Sequence, residues 1–374
     1  MVLRTVAAAA ATTLIGAGAA AVAAGRYAGD AALKADPGRP PPGEPRLALH
    51  DVTGATVTLG RTPASLLPGV YGLAGRGVHA VVGPVIADVS HPHDRVIRRL
   101  DRVTRGALRP GERVWLTPQV HAGNPRDALG LAHAEVDVPG ELGPLPAWFV
   151  PGSRDTWVIT VHGLGTTREH PMNVMPFLHG QRLPVLDIAY RGDPGAPRPP
   201  HGIGHFGAGE WRDLDAAIRY ALRYGARRVV LHGWSTGATM ALLAAQNSAL
   251  SSRVSGLVLD SPVLDWPAAL RALAGRRVPA ALIPLAVRAT EGRTGLAPHA
   301  LLAAADPAAL PMPTLLVHGR DDTLAPLALS RELAAGRPEL ITLRAVRGAG
   351  HAGSWNVDPQ GYEEALRRFL VPLM

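Results

Sequence analysis

Val229-Val230-Leu231-His232-Gly233-Trp234-Ser235-Thr236-Gly237-Ala238 is the stretch on which the fold is read. Val229–Leu231 is an apolar, largely β-branched run of strand type, and Ala238–Gln246 reads as a helix. Between them the pattern Gly-x-Ser-x-Gly places Ser235 on a tight strand-to-helix turn. Gly233 and Gly237 let the backbone turn there without Cβ clashes. The hydroxyl of Ser235 is then held up above the end of a sheet.

The same rhythm continues on either side. Strand-type runs at Trp157–Val161, Val185–Ile188, Leu257–Leu259, Thr314–Val317 and Leu340–Val346 alternate with helices at Glu210–Tyr224 and Gln360–Leu370. Runs that are apolar on both faces and joined by helices predict an α/β domain, a mostly parallel sheet with helices on both faces. Ala134–Val138 and Ala147–Val150 predict a hairpin leading into it. Residues 262–311 are mostly apolar and too long for an ordinary connection, which predicts a helical cap insertion.

A serine hydroxyl is a weak nucleophile until a base takes its proton, and the base needs an acid to orient it. Both residue types follow at strand ends. His318-Gly319-Arg320-Asp321-Asp322-Thr323-Leu324-Ala325-Pro326 begins where a strand stops, and Gly348-Ala349-Gly350-His351 follows the last strand. Ser235 is expected as nucleophile and His351 as base; Asp322, Asp321 and Asp260 are candidate acids. His162-Gly163-Leu164-Gly165 closes the strand Trp157–Val161, where glycines let backbone N–H groups face a developing oxyanion. The expected donors are the N–H groups of Leu164 and Thr236.

Taken together, HGLG at 162–165, GWSTG at 233–237, HGRDDTLAP at 318–326 and GAGH at 348–351 resemble the alpha/beta-hydrolase superfamily. The resemblance runs over about Ala132–Leu370, and within the superfamily it points to the serine aminopeptidase and monoacylglycerol-lipase-like branch. The order Ser235, Asp322, His351 is the one expected on that scaffold. The pattern H-G-x-x-D-x-x-V-P puts the acid at Asp322 rather than Asp321, with Ala325 where the pattern has Val. Glu210-Trp211-Arg212-Asp213 is also similar to this branch, where its carboxylates are structural and suit a helix N-terminus. The resemblance implies a serine hydrolase that cleaves carboxylic esters through an acyl-enzyme, on a small-molecule ester of apolar character. No metal or organic cofactor is implied. A serine at the turn argues against haloalkane dehalogenase (Asp nucleophile) and dienelactone hydrolase (Cys nucleophile) chemistry. The alternatives are a serine peptidase of the same fold and a non-catalytic binding protein built on it. Roughly 80 residues before the domain are too few for the propeller of prolyl-oligopeptidase-like enzymes, and the intact Ser, Asp, His set argues against the binding protein.

The 374 residues carry 38 basic and 30 acidic side chains, a net charge of +8. The arginines are scattered among acids without interleaved aromatics, so no nucleic-acid partner is expected. The absence of cysteine excludes disulfides, thiol nucleophiles and thiolate metal sites. Residues 47–131 predict a small β-rich region, with short strands at Val57, Val70, Val78–Val82, Val85–Ala87 and Val114–Leu116, and with Asp94–Arg105 open between strand and helix. His91-Pro92-His93-Asp94 reads as a solvated loop. Gly202–Gly207 fits G-x-G-x-x-G but follows Pro199-Pro200 rather than a strand, which rejects a dinucleotide site. Residues 36–46 form a Pro-rich linker. Before it, residues 1–35 contain the uncharged run Thr5–Gly25, expected to anchor the protein in a membrane by one helix. A cleaved signal ending at Ala21-Val22-Ala23, giving a secreted protein, is the alternative. The hydrolase-like domain is assigned to 132–374.

Overall fold

The structure is a computed structural model that describes residues 45–374, except 88–91, 275–278 and 311, together with the single positions Ala23 and Tyr27. Apart from Ala23, the expected anchor Thr5–Gly25 lies outside the described residues. Among the described residues no helix is long and apolar enough to cross a membrane.

Six strands open the chain: β1 (Leu47–Val52), β2 (Thr56–Gly60), β3 (Tyr71–Gly75), β4 (Val78–Val85), β5 (Arg95–Arg105) and β6 (Arg113–Thr117). They close into an antiparallel barrel in the order β1-β2-β5-β4-β3-β6. Period-two alternation fills it, with Leu47, Leu49, Val57, Leu59, Leu73 and Val114 turned inward. The segment left open between strand and helix is the strand β5, Val78–Val82 and Val85 belong to one strand, and Val70 precedes β3 instead of lying in a strand. Closure leaves no exposed sheet edge.

Arg98 on β5 is fully buried, against expectation for an arginine. Its guanidinium donates to the carbonyls of Gly83 (2.9 Å), Ser65 (3.1 Å), Leu67 (2.7 Å) and Gly69 (2.7 Å). Among the described residues no carboxylate joins them. Burial lowers its pKa to about 10, with Tyr71 opposing the shift. A single side chain thereby fixes the loop that connects β2 to β3.

The second unit is an eight-stranded sheet: β7 (Ala134–Gly140), β8 (Gly143–Val150), β9 (Thr156–Val161), β10 (Val185–Ile188), β11 (Arg228–Trp234), β12 (Val254–Asp260), β13 (Thr314–Gly319) and β14 (Ile341–Val346). The order is β14-β13-β12-β11-β9-β10-β8-β7, and only β8 runs antiparallel to its neighbours. Its helices are α1 (Pro125–Leu129), α2 (Met175–Gly180), α3 (Trp211–Arg223), α4 (Thr236–Asn247), α5 (Trp266–Ala274), α6 (Ile283–Thr294), α7 (Ala300–Ala304), α8 (Leu327–Gly336), α9 (Ser354–Val357) and α10 (Pro359–Leu370). Ile159, Leu186, Leu231 and Leu259 face α3 and α4. The alternate residues Val158, Val185, Val230 and Val258 face α2 and α10. Burial on both faces explains why these runs read as unbroken apolar segments. The expected insertion forms α5 to α7, closing a third apolar cluster that includes Phe206, Val263, Trp266 and Leu270.

After β9 the chain builds β10 on one side and then crosses to build β11 on the other. That reversal opens a crevice at the carboxyl ends of β9 and β11, the place where open α/β sheets hold ligands.

The barrel is fastened to the sheet domain by two asparagines. Asn173 donates to Pro118 O (2.8 Å) and accepts from Val120 N. Asn356, in α9, donates to Val70 O (2.8 Å) and to Pro118 O (2.9 Å), while its own carbonyl accepts from Val70 N (2.9 Å). Removing the Asn356 amide strands Val70 O, at about 1–3 kcal/mol for a carbonyl left buried, while Pro118 O keeps its bond from Asn173. We expect Asn356→Ala to lower the melting temperature by at least about 2 °C. Asn356→Asp, which can only accept when ionised, should be no better. Thermal melts followed by circular dichroism check this, and unchanged melting of either variant would contradict it.

Candidate active site

The turn predicted around Ser235 is present, with φ 55° and ψ −120° at the serine. A side chain is uncommon in that region and costs about 1–3 kcal/mol. Close packing holds it there. A Cβ on Gly163 would lie 2.6 Å from the Cβ of Ser235, and one on Gly237 would strike the backbone oxygens of Val161 and His162. Only glycine fits at either position. The Ser235 N–H donates to Asp260 O (2.8 Å), tying the turn to the end of β12.

His351 is delivered by the loop after β14, and Asp322 by the loop after β13. His351 Nε2 lies 2.7 Å from Ser235 Oγ, and His351 Nδ1 lies 2.8 Å from Asp322 Oδ2. The other oxygen, Asp322 Oδ1, accepts from the N–H groups of Leu324 (2.8 Å) and Ala325 (2.9 Å). Burial on its own would raise the Asp322 carboxyl, but the charge of His351 and hydrogen bonds from His318 and His351 outweigh it. The carboxyl is held well below the usual carboxylate range.

The other candidate acids stand elsewhere. Asp321 is exposed, and its backbone N–H donates to Ala349 O (3.0 Å). Asp260 is buried and accepts from Ser261 Oγ (3.1 Å) and Ser354 Oγ (3.3 Å). Burial pushes its carboxyl up to about 6, against the hydrogen bond from Ser261. The structure thus brings Ser235, His351 and Asp322 together.

The expected oxyanion donors flank the same point. Thr236 N lies in the first turn of α4, where N–H groups have no intrahelical acceptor. Leu164 N–H, however, donates to the side-chain hydroxyl of Thr236 at 2.9 Å. A substrate oxygen would have to take the place of that hydroxyl.

Around this centre the polar groups are held in pairs. His162 Nε2 meets Asp193 Oδ2 at 2.8 Å, and Asp193 also accepts from Tyr190 N (2.8 Å). Burial opposes charge on His162, yet Asp193 raises its pKa overall. Glu210 accepts from the N–H groups of His205 (2.7 Å) and Gly207 (3.0 Å), fastening the Gly-rich loop. Asp213 grips Arg191 through contacts of 2.6 and 2.9 Å. Sequence reasoning passed over His318, whose Nε2 stands 3.2 Å from Asp322 Oδ2. Its signal is its place four residues before the acid, at the head of the same motif. Trp355, four residues after His351, lies against the cluster of α2 and α10.

Two segments match known families. Residues 156–281 match the alpha/beta hydrolase fold, and residues 48–117 match a domain of unknown function (DUF8805). The sheet domain has the alpha/beta-hydrolase fold. Among solved structures, the Pyrococcus furiosus esterase Pf2001 aligns in one crystal form at 23% identity with a TM-score of 0.56, covering 67% of this chain and 94% of that one. In a second form the values are 21%, 0.54, 67% and 95%. No curated protein matches the chain. Within this hydrolase fold the site lies at the crevice between β9 and β11.

One buried acid of the hydrolase domain makes a pH test possible. Asp187 on β10 accepts from Thr160 Oγ1 (2.9 Å), and its Oδ2 has no hydrogen-bond partner among the described residues. Burial pushes its carboxyl up to about 8, opposed chiefly by Arg168. The folded state therefore keeps a proton that the unfolded chain releases above about pH 4. Stability from this group is lost as pH rises from about 4 through 8. Asp187→Asn keeps an acceptor for Thr160 and removes the titration. Its melting temperature should gain on the parent's between pH 5 and pH 8; parallel curves would refute the assignment.

Proposed function

We propose that the protein is a serine hydrolase that cleaves carboxylic esters through an acyl-enzyme. The observation that carries this reading is the unbroken relay from Ser235 Oγ through His351 to Asp322, with contacts of 2.7 and 2.8 Å. In the proposed reaction Ser235 Oγ attacks the ester carbonyl carbon while His351 Nε2 takes the hydroxyl proton. Asp322 fixes the tautomer of His351 and stabilises the imidazolium. The N–H groups of Thr236 and Leu164 receive the oxyanion, the Thr236 hydroxyl turning aside about χ1. Collapse expels the alcohol with the proton from His351, and water, deprotonated by the same imidazole, then cleaves the acyl-enzyme. The apolar cluster beneath α5 to α7, which Leu164 and Leu324 adjoin, favours an apolar acyl group.

We expect Ser235→Ala to abolish labelling by a fluorophosphonate probe and to cut kcat/KM on p-nitrophenyl esters at least about a thousandfold. Labelling that survives on another serine overturns the nucleophile. Asp322→Asn should cost about 10⁴ in turnover through loss of the tautomer-setting partner, whereas Asp321→Asn should cost less than about threefold, an exposed side chain outside the relay. A severe Asp321→Asn, or a severe Asp260→Asn beside a mild Asp322→Asn, would reassign the acid.

The uncharged run Thr5–Gly25 supports a further proposal, that the enzyme is anchored to a membrane. Retention in the membrane pellet after alkaline carbonate is the expected result. A mature N-terminus near Ala24 would mean a secreted enzyme instead.

A further inference from the structure

Between the barrel and the sheet domain lies a cleft of about 600 Å³. One wall is the β3–β4 turn around Arg76, the other is the loop Gly165–Glu169, and Trp115 and Trp148 also line it. The loop follows Leu164 directly, so Gly165, its first lining residue, is the chain neighbour of one expected oxyanion donor. We propose that this cleft binds an anionic group of the ester substrate, a carboxylate or a phosphate, with Arg76 and Arg105 as its cationic contacts. The inference rests on the hydrolase reading and narrows it to esters that carry a negative charge a few atoms from the scissile carbonyl.

The charge balance of the lining carries the argument. Arg76 is exposed between two glycines and has no ion-pair partner among the described residues. Arg105 is half-exposed and is steadied by Glu169 at 3.2 Å. Arg168 stacks 4.2 Å from the centre of the Trp148 ring, and its buried Nη1 has no hydrogen-bond partner among the described residues. Glu135 approaches that nitrogen only to 3.9 Å.

The two carboxylates in the lining are already engaged. Glu169 accepts from Gly123 N (2.6 Å), from Gln119 and from Arg105, and Asp193 is held by His162 and Tyr190 N. Asp187 pairs with Trp148 across β10 and β8, so its side chain lies on the same face of the sheet, beneath the cleft. Its raised pKa leaves it mostly protonated at neutral pH, where it adds little negative charge. The lining thus sets Arg76, Arg105 and Arg168 against Glu169 and Asp193, a formal excess of one positive charge, and Arg76 is the arginine outside any ion pair among the described residues. Guanidinium groups bind carboxylate and phosphate through paired N–H donors.

The test uses three esters on one aryl frame, bearing a neutral hydroxymethyl, a carboxylate or a phosphate group. Their binding to Ser235→Ala protein is measured by calorimetry, so that no turnover intervenes. At least one charged ester should bind about tenfold or more tightly than the neutral one, and the advantage should shrink as salt rises. The tighter of the two charged esters identifies the anion. Arg76→Gln, an exposed change that leaves the fold intact, should erase most of the advantage, and Arg76→Gln with Arg105→Gln all of it. Equal binding of the three esters, or an advantage unmoved in the double variant, overturns the proposal. Fluorophosphonate labelling of the two Arg variants, each carrying its native Ser235, is read in parallel and should persist. Loss of labelling in the parent protein would count against the hydrolase reading, which separates the two failures.

Discussion

The positive-φ turn at Ser235 is the constraint on which the remaining geometry depends. A residue with a side chain is held at φ 55° because the end of β9 and the first turn of α4 close on it from two sides. Closing in requires β11 to lie directly beside β9, and that adjacency is the reversal point of the sheet. The same compression brings Leu164 within hydrogen-bond distance of Thr236. Once β11 is fixed, β12, β13 and β14 add in order along one side. Their carboxyl ends then carry Asp260, Asp322 and His351 around the serine. The strain at one residue is offset by packing over several strands, which is how such conformations persist at reactive centres.

Partners rather than depth sort the buried acids. Asp322, Asp260 and Asp187 all have little or no exposed side chain. Asp322 faces two imidazoles and two backbone N–H groups, and it is ionised. Asp260 and Asp187 have only hydroxyl donors and one orphaned oxygen each, and burial pushes both upward. Charge at the site is therefore concentrated on the one carboxylate that touches His351. In a region of low dielectric, this arrangement strengthens the hold of that carboxylate on the imidazole.

The fold and the reactive cluster were legible where local chemistry decides the outcome. Gly163, Gly233 and Gly237 are written into the sequence because no other residue fits, and the doubly buried strands announce themselves as unbroken apolar runs. Asp322 could be separated from Asp321 only through the resemblance of its motif; the two backbone N–H groups and two histidines that hold it are tertiary facts. β5 was ambiguous because Arg95-Val96-Ile97-Arg98-Arg99-Leu100 puts a charged residue on both faces of a strand, and only the four carbonyls around Arg98 make its burial acceptable. Barrel closure was invisible for a similar reason. It depends on β1 meeting β6, more than 60 positions apart, through a short register with no sequence mark. Thr236 shows the opposite case: its backbone role was readable from the turn, but the contact of its hydroxyl with Leu164 N–H appears only in three dimensions.

Asn356 has a consequence for how the protein comes into being. It serves carbonyls that precede it by 286 and 238 positions. A barrel that folds first, as N-terminal units do during synthesis, can meet Asn173 at Pro118 early, but it presents Val70 to water until Asn356 leaves the ribosome. His351 lies five residues before it and meets Ser235 across 116 positions. Docking of the asparagine and arrival of the imidazole are thus one event. Until then the nascent chain holds Ser235 without the imidazole that stands 2.7 Å from it in the finished fold, and the two meet only when the barrel and the last helices join.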